Sequence, residues 1–311
     1  MEELDRISDL PTELKENILV RLPVKEAVRT CCLSSNWRLA WSSIPEFVYD
    51  IDKYSISTPD ILPHEYRAED PVKMVQFVDN FLASHDGSIR KFVIIADGMI
   101  CSEALDRWIG VLLRKEIEEF RITFHNWWKV PSTFWNLQCL REVVLRCSKC
   151  TIELPRAFKG FKLLKSLGLS RYLMYKYDME LSIKFYHLRT LLIKMNFACQ
   201  REASVVRQLF RRAPNLQKLT VEEANIYYAY TSVTSEEWAQ YTVLENLKFV
   251  EINNFFDNHK AVLLFVEFLL ASTPVLEELH FEKKINYPEF FQKLLRLKRT
   301  SKKAKIILPK N

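Results

Sequence analysis

The chain has 311 residues, 48% of them hydrophobic and 27% charged, and 45 Lys and Arg against 39 Asp and Glu leave a net charge of +6. That length and composition can bury a large core, no run reaches the roughly 18 apolar residues of a membrane span, and the charged start Met1-Glu2-Glu3-Leu4-Asp5-Arg6 is not a secretory signal. Seven cysteines, an odd count in a chain without an Asn-x-Ser/Thr acceptor, argue against a disulfide framework and for reduced thiols in the nucleus or cytoplasm.

The first fifty residues form a unit of their own. Pro11 stands at a first helical position, and Leu14, Ile18, Leu19 and Leu22 make an apolar stripe that Pro23 ends. A second short helix is expected from Val24 to Cys31. A third, capped by Ser34 or Ser35, would carry Trp37 and Trp41 on one face. Three short helices in about forty residues make a small core, which points to a partner that completes it.

Beyond this unit the pattern L-x-x-L-x-L, or an apolar equivalent, recurs. It starts at Ile89, Ile117, Leu140, Leu164, Leu188, Leu216, Leu244 and Leu276, in steps of 28, 23, 24, 24, 28, 28 and 32 residues. Such intervals match the roughly 20 to 29 residues of leucine-rich repeats, with the last stretched. One short strand and its return segment cannot bury an apolar face alone, so neighbours stack into a solenoid with a parallel sheet on one face. Helix-like stretches from Glu202 to Arg212 and from His259 to Ala271 each run up to a proline, Pro214 and Pro274, two residues before the next leucine. Proline stops a helix and biases the chain toward extended geometry where a strand must begin.

Two stretches carry a family resemblance. Leu10-Pro11, Leu14, Ile18-Leu19, Leu22-Pro23, Val24, Ala27-Val28 and Trp37-Arg38 resemble an F-box, and residues 265–279, from Phe265 to Leu279, are similar to the FBD segment of plant F-box proteins with leucine-rich repeats. The resemblance implies an α/β chain with a three-helix F-box at 1–45, a curved leucine-rich-repeat solenoid at 46–255 and an FBD-like C-terminal part at 256–311. It further implies a non-catalytic substrate receptor of an SCF-type ubiquitin ligase. Leu10, Pro11, Leu14, Ile18, Leu19, Leu22, Pro23, Val24, Ala27, Val28 and Trp37 would dock on a Skp-type adaptor, and through it a cullin, while the repeats bind a target protein. The alternative is a repeat scaffold or nucleic-acid-associated binder whose N-terminal helices merely cap the array.

Offsets 0, 3 and 5 of each repeat point inward, so offsets 2, 4 and 6 point out by strand alternation. The outward set holds Arg121, Arg146 and Lys194, expected to contact the target, and in the repeat begun at Leu244 it holds Asn246, Lys248 and Val250. Aromatic loops at Phe124 to Trp128, with Trp127 and Trp128, and at 226–230, with Tyr228, suit either interface anchors or loop packing. Only five glycines are present, the six histidines show no i, i+4 pairing, and Cys147-Ser148-Lys149-Cys150 has no second ligand pair, so neither a catalytic motif nor a cofactor or metal is expected. Basic residues from Lys293 to Lys310 read as the solvated face of a closing helix before a last strand, Ile306 to Leu308, though nucleic acid, nuclear import or polyphosphate would use the same cluster.

Overall fold

The computed structural model describes residues 5–51, 70–96, 100–151, 155, 158–170, 183–224, 233–234, 238, 243–253, 259–282 and 288–308, with 125–128, 147–151, 259 and 288 as backbone only. The chain forms two compact units, Met1–Phe158 and Lys159–Asn311, whose boundary falls inside the expected repeat region 46–255.

The first unit opens with helices α1 (Thr12–Leu19) and α2 (Val24–Arg29). Pro11 is the residue just before α1, one place earlier than expected, and the expected helix carrying Trp37 and Trp41 is instead two 3-10 turns, Ser35–Trp37 and Ala40–Ser43. Trp37 and Trp41 are both buried in these turns. There follow β1 (Glu46–Asp50), α3 (Pro71–Ser84), β2 (Lys91–Ala96), α4 (Ser102–Leu112), β3 (Glu119–Lys129) and β4 (Glu142–Thr151). Asp70 caps α3 by accepting from the Val72 N–H at 2.9 Å, with Pro71 in the first turn, where its missing N–H costs nothing.

Strands β1 to β4 pair in chain order and in parallel. Each entry is clamped the same way, two successive N–H groups donating to one carbonyl of the preceding strand's lead-in. Arg90 and Lys91 donate to Pro45 O, Glu118 and Glu119 to Arg90 O, and Arg141 and Glu142 to Glu118 O, all at 2.8–3.2 Å. The clamp begins one repeat earlier than the leucine count does. Ile44, Phe47 and Tyr49 occupy the inward positions, and Phe47 and Tyr49 pair with Phe92 and Ile94. Inside, Phe47, Phe92 and Phe120 stack at centroid distances of 5.0 and 5.9 Å, a column in which each ring covers the next.

The second unit holds β5 (Ser166–Ser170), β6 (Thr190–Met195), α5 (Gln200–Arg212), β7 (Lys218–Glu223), β8 (Phe249–Asn253), α6 (His259–Ser272), β9 (Glu278–Phe281), α7 (Pro288–Arg296) and β10 (Lys305–Ile307), the strands again parallel and in chain order. The expected inward positions are buried throughout β6, β7 and β9, and Leu169 of β5 is half-buried. One repeat is out of register with expectation. Val250 and Ile252, not Phe249, align with Leu219 and Val221, so the repeat starts at Leu247, three residues after Leu244. Lys248 and Phe249 donate to Gln217 O, and Glu277 and Glu278 to Lys248 O, the same clamp as elsewhere. Val250, expected outside, is therefore 1% exposed, while Phe249 is 39% exposed beside outward Glu251 and Asn253. Gly160 closes the lead-in to β5 at φ +92°, where a side chain would also strike Ile183 Cγ2.

The chain is thus a mixed α/β protein with a helical N-terminus and parallel strands added one after another.

Candidate functional site

The N-terminal helices are held together by polar contacts around one lysine. Lys15 is buried, donates from Nζ to Ser8 O at 3.0 Å and Asn36 O at 3.3 Å, and lies 5.5 Å from the Trp37 ring centre. Trp37 Nε1 donates to Ile7 O at 3.0 Å and Ser43 Oγ to Glu16 at 2.8 Å. These bonds give the buried ammonium carbonyl partners and an aromatic face, which offsets its desolvation.

Around that centre the adaptor candidates divide. Leu19, Val24, Ala27 and Trp37 are at most 2% exposed and pack the interior. Leu10, Pro23 and Val28 are half-buried and Pro11 is exposed. Leu14 and Ile18, one turn apart on α1, are 49% and 42% exposed, and Leu22 follows at 38%. Ile7, Leu33 and Leu39, which the sequence reading did not single out, are about as open or more so. Six large apolar side chains are thus exposed within residues 7–39, three of them, Leu14, Ile18 and Leu22, in a row along α1 and the turn after it.

The helices are fixed to the first strand. Trp41 meets Phe81 of α3 at 5.3 Å, and Ser42 O accepts from the N–H groups of Asp86 and Gly87 at 3.0 and 3.1 Å. A Cβ at Gly87 would stand 2.9 Å from Ser43 Cα and O, so only glycine lets the chains approach this closely. Lys115 donates to the carbonyls of His85, Asp86 and Gly87 at 2.8, 3.3 and 2.9 Å. His85 is buried with Nε2 2.8 Å from Ile44 O, and burial pushes its pKa below the ordinary histidine range, so the ring is neutral. With a neutral ring against a carbonyl, Nε2 carries the proton and donates.

Of the target-facing candidates, Arg121 lies on the outer face of β3 and ion-pairs with Glu142 of β4 at 2.5 Å. Arg146 lies on β4 beside Thr123, and Lys194 lies exposed on β6 in the other unit, between Ser170 and Glu222. Several outward positions are themselves covered by neighbours, among them Val144 at 7% and Thr220 at 8%. Residues 125–128 belong to β3, which runs to Lys129 through a register irregularity after Phe124, so the stretch expected as an aromatic loop is strand. The side chains of Trp127 and Trp128, and all of Tyr228, lie outside the described residues.

Residues 7–49 form a small helical unit with a buried tryptophan, an outward apolar row and a strand following its last turn, and this stretch matches the F-box domain family model. Residues 7–49 are an F-box domain. The chain is similar to an F-box/FBD/LRR-repeat protein of Arabidopsis thaliana, 35% identical over 174 residues that cover 56% of this chain and 40% of that one. A second Arabidopsis F-box/FBD/LRR-repeat protein is 31% identical over 150 residues (48% and 31%), and an Arabidopsis FBD-associated F-box protein 24% identical over 158 residues (49% and 34%). The chain thus aligns with less than half the length of each of these relatives.

Proposed function

We propose that this chain is the substrate-recognition subunit of an SCF-type ubiquitin ligase. The F-box docks on a Skp-type adaptor and through it a cullin, and the parallel strands, read as a leucine-rich-repeat solenoid with an FBD-like part at 256–311, hold a target protein. The observation that carries the reading is the exposed row Leu14, Ile18 and Leu22 on a segment matched by the F-box family. The chain contributes positioning and no bond-making group. It raises the local concentration of target lysines near a thioester carried by another protein. Nucleus and cytoplasm both suit this role.

The test is co-purification of the full chain with a Skp-type adaptor. Leu14→Asp with Ile18→Asp abolishes recovery, since apolar anchors of such interfaces cost about 2 kcal/mol or more each when lost. Its melting curve stays that of the parent, because both side chains face solvent. Equal adaptor recovery from the double variant would refute the reading.

A further inference from the structure

A cleft of about 350 Å³ lies within the first unit, between the α1–α2 turn and the outer face of β1 to β3. That volume is at the lower end of the roughly 300–1,000 Å³ of ligand clefts, room for one or two side chains and not for a folded surface. Its floor is mixed: Val48 of β1 lies beside Val93 of β2, with Ile95 the next outward residue of β2, while Glu46 and Asp50 flank Val48 on β1. Three cations and two carboxylates, Glu46 and Asp50, line it. Lys91 sits between Glu46 and Glu119, 3.6 Å from each, and Arg121 is held by Glu142. Arg21, from the turn overhead, is exposed and has no ion-pair partner among the described residues.

We propose that this cleft takes a short acidic-aliphatic peptide segment of the target, a branched or long aliphatic side chain seated on Val48, Val93 and Ile95 and an adjacent carboxylate paired with Arg21. The planar guanidinium offers a carboxylate two parallel N–H donors, and the Val48, Val93 and Ile95 patch supplies the burial that an exposed ion pair alone does not. The proposal rests on the reading above and adds to it the place and chemistry of recognition: against the F-box turn, at the first strands.

The test uses the full chain bound to its adaptor and a displayed library of random seven-residue peptides. Selection enriches sequences that set Asp or Glu next to Leu, Ile or Val, and the enriched peptides, synthesised and titrated, bind Arg21→Glu and Val48→Trp about tenfold or more weakly. Arg21→Gln keeps more affinity than Arg21→Glu, and both variants keep parental melting and adaptor recovery. No enriched motif, or one whose affinity the cleft variants leave unchanged, overturns the proposal while the adaptor result stands. A cleft that instead seats a second copy of the chain reveals itself as self-association lost in Val48→Trp, and overturns it too.

Discussion

Two residues at the joint between F-box and sheet make opposite demands on the chain. Gly87 is there for what it lacks: Gly87→Ala forces a methyl against the backbone of Ser43, and thermal unfolding should show a loss of about 1–3 kcal/mol, the usual cost of overpacking. His85 is there as a neutral donor. Its folded pKa lies below the ordinary value, so the unfolded chain takes up the proton first as the solution is acidified. The stability it contributes is complete above about pH 6.5 and is lost as pH falls through the folded value. His85→Gln keeps an N–H for Ile44 O but cannot titrate. Urea midpoints between pH 7 and pH 5 should fall less steeply for it than for the parent, and parallel slopes would remove His85 from the account.

At the scale of elements, the repeat around β8 separates two readings that composition does not. If Leu247 opens the repeat, Val250→Asp buries an unpaired charge and costs about 4 kcal/mol or more, while Phe249→Asp costs only about 1–2 kcal/mol. A leucine count favours Leu244 because Leu247 and Phe249 supply the right spacing. The better signal is polar. Asn215-Leu216 returns as Asn246-Leu247, and each asparagine amide reaches back to the previous repeat, to Tyr186 O at 2.8 Å and Pro214 O at 3.0 Å. Seven of eight repeat starts and both proline-terminated helices were legible because buried leucines leave a period in the sequence. The strand at Glu46–Asp50 was hidden for the converse reason, its inward residues Phe47 and Tyr49 being aromatic and followed by forty residues before the next repeat start. The F-box pattern was equally visible, yet Leu19 at 0% and Ile18 at 42% exposure are neighbours that no apolar stripe tells apart. The cleft was not legible at all, since it joins residues of a helix turn to three strands whose outward neighbours only pairing defines.

Across the whole molecule, charge and compactness are both divided. Residues 290–311 hold eight Lys or Arg and no Asp or Glu, so with +6 overall the remainder is slightly acidic, and the basic stretch from α7 through β10 stands in the unit that does not contain the F-box. In a repeat protein each strand leans mainly on its neighbours, so a lesion in one unit need not reach the other. Val250→Asp should therefore leave adaptor recovery intact at temperatures where its own unit has melted, and joint loss of both would mean a single cooperative block. The triple grip of Lys115 on the carbonyls before β2 has a different kind of consequence. On the function proposed above it makes the joint a fixed bearing: cargo held on the first strands would be presented along one direction from the adaptor, so which of its lysines received ubiquitin would be a matter of angle rather than affinity. Two glycines inserted between Ser43 and Ile44 would loosen that bearing, and mass spectrometry of the modified cargo would then find ubiquitin scattered over more lysines at an unchanged binding strength.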